Sequence, residues 1–119
     1  MDAQELISDK VNVHTSKSGD ETSSLLIDKG WFRDSIDVFR SALAYALANG
    51  IEPKVDTPTG GKTWTAGSVD KDGAVTKVLA LHGYKERPMA TAEGLVEMAL
   101  EDIGKRVRKG ESLSQIFLN

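Results

Sequence analysis

The stretch "KVNVHTSK", Lys10–Lys17, sets the hardest constraint on any fold for this chain. Val11 and Val13 alternate with Lys10, Asn12 and His14, which is the two-residue period of a short strand with one buried face. The backbone groups along both edges of such a strand need partners, and no other segment reads as a second strand. A two-fold copy of the strand supplies a partner with no further sequence, so a homodimer is the expected state.

C-terminal to the strand the chain reads mostly as helix. Ser18 and Glu21 stand at capping-box spacing, so a helix is expected from Gly19 or Asp20 through "TSSLLIDK" to Gly30. Asp34 or Ser35 can cap a second helix, "IDVFRSALAYALANG", in which Ile36, Phe39, Leu43, Ala46 and Leu47 recur at helical spacing. Its alanines at 42, 44, 46 and 48 permit close approach of another helix, and packing on all sides is expected. Residues 51–73 hold two prolines and four glycines among polar residues, and read as a loop or linker.

Beyond that segment, "AVTKVLALHG" places Val75, Val78, Leu79 and His82 on one face of a short helix. A longer one, "TAEGLVEMALEDIGKRVRKG", repeats Val96, Leu100, Ile103 and Val107, with acids early and bases late. Ser112 and Gln115 form a box too near the end to launch much helix. The expected fold class is mainly α with a short N-terminal β-strand, divided into residues 1–50, a linker at 51–73 and a helical segment at 74–119.

A chain of 119 residues fits one compact domain with a modest core. Its longest apolar run, "ALAYALA", is far too short to span a membrane. Disulfides, thiol nucleophiles and zinc–cysteine sites are excluded, because there is no cysteine. The polar start "MDAQELISDK" lacks the basic and apolar regions of a signal peptide, so a cytoplasmic location is expected. The net charge of −3 offers no broad attraction for nucleic acid. Residues 1–50 hold that whole excess, with eight acids against five bases, while "KRVRK" concentrates Lys105, Arg106, Arg108 and Lys109 in the balanced remainder.

Several motifs touch on chemistry. "DTPTGGKT", Asp56–Thr63, is one residue from a phosphate loop, but Asp56 stands where the first glycine must turn amides toward a phosphate. With neither a buried strand before it nor a helix start after it, it reads as a solvated loop. His14 and His82 have no paired spacing, so no metal is expected, and no cofactor either. Glu93, Glu97 and Glu101 recur at four-residue steps, which suits carboxylate chemistry but more commonly marks a solvated stripe. No serine lies near a base and an orienting acid, and an enzyme is not expected. Trp31 and Phe32 read as a hydrophobic plug at the corner between helices, whereas Trp64 in a polar loop reads as a contact residue.

The order of strand, helix, glycine-containing turn and longer helix over residues 10–50 resembles the ribbon-helix-helix family of small DNA-binding dimers. The resemblance implies that two strands from two subunits pair in the major groove, turning Lys10, Asn12 and His14 toward base edges. It also implies that the "FRDSI" corner meets a phosphate, with Arg33 and Arg40 positioning the DNA backbone. The family's common G-x-[ST] start to that turn is Gly30, Trp31, Phe32 here. DNA binding is thus the first expectation. The second is a protein-interaction accessory subunit of a larger bacterial complex, with Trp64, Lys105, Arg106, Arg108, Lys109 and the C-terminal helix as contact surface. The "DVFRSALAYALANG" helix resembles small accessory proteins of bacterial DNA-modification and defence systems and suits either expectation.

Overall fold

The N-terminal strand finds its partner inside its own chain. In the computed structural model, which describes residues 9–118, strand β1 (Asn12–Ser16) pairs antiparallel with β2 (Gly60–Thr65). Val13 lies opposite Trp64 and His14 opposite Thr63, and the ladder shifts register before Ser16 meets Gly60. The expected pairing with a second copy is therefore corrected, and β1 no longer requires a homodimer. The polar N-terminal residues 1–8 lie outside the described residues.

The reading of segment 51–73 as loop throughout is also corrected: "GGKTWT" lacks an alternating apolar face, yet it forms a strand. That strand is held by backbone fit and by one ring. A Cβ on Gly61 would collide with the backbone carbonyls of Thr15 and Ser16, so only glycine lets the two strands close here. The neighbouring Lys62 amide donates to Thr15 Oγ1 at 3.0 Å. Trp64 packs edge-on against Phe39 with ring centroids 5.7 Å apart, which ties β2 to the core. On β1 the buried residues are Val13 and Thr15; Val11, expected on the same buried face, precedes the strand and is 78% exposed.

Five helices longer than one turn complete the described residues: α1 (Lys17–Asp28), α2 (Ser35–Ala48), α4 (Ala74–Leu81), α5 (Pro88–Arg108) and the terminal α6 (Leu113–Phe117). A single turn, α3 (Ala66–Val69), and a 3-10 turn at Lys71–Gly73 lead from β2 into α4. The mainly helical class with a short N-terminal strand is what the sequence indicates. Boundaries follow local chemistry. The Ser16 hydroxyl accepts from the Gly19 amide at 2.9 Å and starts α1 two residues before the Ser18 spacing suggests. Asp34 accepts from the Asp37 amide at 2.9 Å to start α2, and Asp9 accepts from the Met89 amide at 2.9 Å at the start of α5. Ser112 and Gln115 exchange both bonds of a capping box and do launch α6, whose Ile116 is buried.

Helix α5 is the hub. The expected stripe of Val96, Leu100, Ile103 and Val107 is buried, and so are Ala92, Leu95 and Ala99 around its side. α1, α2, α4 and β1 all pack on it. The loop after α2 lies against it as well: Lys54 donates its amide to the Gly94 carbonyl at 3.2 Å, and a Cβ on Gly94 would strike the Lys54 backbone. One core thus runs through all three sequence segments. Helix α2 departs from the expected packing on all sides: Val38, Phe39, Ala42, Leu43, Tyr45 and Ala46 are buried, while Ala44 and Ala48 face outward. Among the described residues, no helix is long and apolar enough to cross a membrane.

Candidate functional site

The three residues expected to read DNA bases do not form a free polar face. Glu93, 4% exposed on α5, receives Lys10 Nζ at 2.7 Å and the His14 amide at 2.8 Å, with His14 Nδ1 3.0 Å away. Only Asn12 of the three stands open to solvent. One helical turn further on, Glu97 accepts from the Ser16 amide at 3.3 Å. The outer edge of β1 is thus lined by two carboxylates where a ribbon dimer would need a second strand.

Sequence reasoning missed this role for Glu93 and Glu97, which it assigns to a solvated face. A signal was available. Alternate amides on one strand edge repeat about every 6.6–6.8 Å, close to the rise of about 6.0 Å between positions i and i+4 of a helix. Acids four apart on a helix therefore match the free amides of a strand beside it. Glu101, the third of the series, is 56% exposed and pairs with Lys105 at 3.6 Å.

The backbone-positioning arginines are also engaged. Arg33, 80% exposed, pairs with Asp37 at 3.1 Å and Asp34 at 3.7 Å on the corner before α2. Arg40 donates Nε to the Val69 carbonyl at 3.2 Å and Nη2 to the Ser68 carbonyl at 3.1 Å. Of the expected partner-binding residues, Trp64 is half-buried on Phe39, and most of α5 is core. Lys105, Arg108 and Lys109 are exposed, whereas Arg106 turns back into the molecule.

Arg106 builds the floor of a groove of about 640 Å³ between α2 and α6. Trp31, Phe32, Tyr45 and Phe117 line it, with Ser41, Ala44 and Ala48 from the open side of α2. Phe117 meets Phe32 and Tyr45 edge-on, at centroid distances of 5.2 and 5.9 Å. Beneath the rings, Arg106 donates Nη1 to the Tyr45 hydroxyl at 3.0 Å, Nε to Glu111 at 2.9 Å and Nη2 to the Gln115 carbonyl at 2.9 Å. The Tyr45 hydroxyl in turn donates to Asp102. Burial pushes the Tyr45 pKa above the ordinary phenol value, and the Asp102 hydrogen bond adds to the rise. The bonds to Glu111 and Tyr45 raise that of Arg106, which keeps it cationic.

A second groove, of about 350 Å³, lies on the other flank of α2, between it and α4. Ala44 belongs to both. Among the described residues, no three His, Asp or Glu side chains converge as metal ligands. The chain matches no protein-family model, no curated protein and no solved structure. The features that bear on function are a helical fold around α5, carboxylates in place of a strand, and grooves on both flanks of α2.

Proposed function

We propose that this chain is a non-catalytic interaction module, an accessory subunit that seats a helix of a partner protein in the aromatic groove between α2 and α6. The observation that carries this reading is that the groove is ringed by Trp31, Phe32, Tyr45 and Phe117 while its polar floor is already paired. A polar metabolite would need unpaired donors or acceptors to orient it, and the Tyr45–Arg106 floor engages its groups within the chain. Aromatic rings gathered around a concave surface are the composition of a protein–protein contact. Ser41, Ala44 and Ala48 recur at steps of three and four on one side of α2, which lets a partner helix approach closely. Base readout by Lys10, Asn12 and His14 has less support, since Glu93 engages Lys10 and His14.

Site-specific photo-crosslinking tests the proposal. A benzophenone side chain at Ala48 should give one dominant protein adduct in cells of the native host, and the same group at exposed Glu52 should not. Ala48→Arg should abolish the interaction with the captured protein while leaving the thermal midpoint within a few degrees of the parent. Identical adducts at both positions overturn the reading. So does a gel shift of duplex DNA that weakens steeply with salt and is lost in Asn12→Ala.

A further inference from the structure

The groove between α2 and α4 is chemically unlike its neighbour, and the geometry points to a binding site for a small amphiphilic anion, a medium-chain alkyl carboxylate. Leu43, Leu47, Val69, Val75 and Val78 form its walls. Val78 is 42% exposed, and Leu81, one helical turn beyond, is 86% exposed, so apolar surface continues out of the groove along α4. The other contributors of note are two cations, Arg40 and Lys71; among the described residues no acid lines it.

Arg40 is held in place as an anion receptor would be. Its bonds from Nε and Nη2 to the Val69 and Ser68 carbonyls fix the guanidinium plane, and among the described residues no carboxylate pairs with it. Lys71 likewise has no ion-pair partner among the described residues. The acid beside it in sequence, Asp70, is committed to the start of α4, accepting from the Val75 amide at 2.8 Å and the Thr76 hydroxyl at 2.6 Å. A carboxylate between Arg40 and Lys71 would complete a charge-assisted contact that the chain itself leaves open.

The remainder of the ligand is set by the walls. Arg40 to Leu47 spans about 10 Å along α2 at about 1.5 Å per residue, the length of a medium-chain alkyl tail. A volume of about 350 Å³ suits such a tail better than a ring system with many polar groups. Exposed ion pairs contribute little by themselves, so the tail supplies most of the affinity and the cations supply orientation and the choice of anion. This inference does not rest on the α2–α6 reading, because its ligand is different and so, apart from Ala44, are its residues.

Isothermal titration of the full chain with decanoate, below the concentration at which it forms micelles, provides the test. One-to-one binding is expected, tightening about threefold to fourfold with each methylene from hexanoate to decanoate. Leu47→Trp should fill the groove and abolish binding with the fold intact, and Lys71→Glu should weaken it about tenfold. Decylamine, with the same tail and the opposite charge, should bind at least about tenfold more weakly than decanoate. Overturning results are no decanoate binding by the parent chain, equal binding of decanoate and decylamine, or binding unchanged in Leu47→Trp. Binding of an acidic amphipathic helical peptide in place of decanoate also overturns it.

Discussion

Glu93 takes the place of a neighbouring strand with a single side chain. A buried carboxylate is unfavourable unless its charge and lone pairs are met, and Lys10, the His14 amide and the His14 ring meet them. Glu93→Ala leaves a strand amide unsatisfied and a half-buried ammonium without its partner, so a loss of about 3 kcal/mol is expected in urea unfolding. Glu93→Gln keeps an acceptor for the His14 amide and loses only the charge, for about half that loss. Glu101→Ala, at the exposed end of the same series, should stay within about 0.5 kcal/mol of the parent. Equal effects at 93 and 101 would mean that the carboxylates are a solvated stripe after all. The spacing of these acids and the strand itself were legible in the sequence; that the two lie side by side was not, because the sequence does not say what faces a helix. Lys10 and His14 read as outward-facing for the same reason: alternation assigns a residue to a face, and only α5 decides whether that face meets water.

At the scale of elements, capping chemistry was legible in part: Asp34 caps α2 as its position suggests, whereas Ser16 rather than Ser18 caps α1 and the Ser112–Gln115 box starts a helix that its place near the end did not suggest. β2 was hidden because its stability is non-local. Gly60 and Gly61 lower its strand propensity, yet Gly61 is what allows β1 to lie against it. Gly94 poses the same conflict inside α5. Its replacement by alanine gains about 1 kcal/mol of helix propensity, but the new methyl strikes the Lys54 backbone, where overpacking costs about 1–3 kcal/mol. The clash should win, because the obstacle is backbone and cannot swing aside as a side chain would. Gly94→Ala is therefore expected to destabilise, by up to about 2 kcal/mol. Gly67→Ala in α3, where no atom lies within 4 Å of the added carbon, should be neutral or stabilising by up to about 1 kcal/mol. Thermal unfolding of the two variants decides the point; a stabilised Gly94→Ala would show that the loop at 51–54 is not seated on α5.

The whole molecule ties its last helix to its centre through one polar chain, Asp102–Tyr45–Arg106–Glu111, and that chain gives its stability a dependence on pH. Folded Tyr45 holds its proton more tightly than the unfolded chain does, because burial and the hydrogen bond to Asp102 both oppose a phenolate. The stabilisation from this group is thus complete below the unfolded value, about pH 10, and is lost as pH rises through the higher folded value. Lysines titrate in the same range, so the informative quantity is the difference between parent and Tyr45→Phe. At neutral pH the variant should be less stable by about 1 kcal/mol, for one hydroxyl that donates to a carboxylate. Above pH 10 that difference should shrink, since phenylalanine has no proton to lose. Phenolate absorbance in a Tyr84→Phe background reports the ionisation of Tyr45 alone, and it should appear in the same pH range in which the stability difference shrinks. Ionisation would also place two negative charges side by side under the α2–α6 groove, so fluorescence of Trp31 on the groove wall should change in step with the absorbance. A stability difference that stays flat to the highest pH measured would remove Tyr45 from the link between α6 and the core.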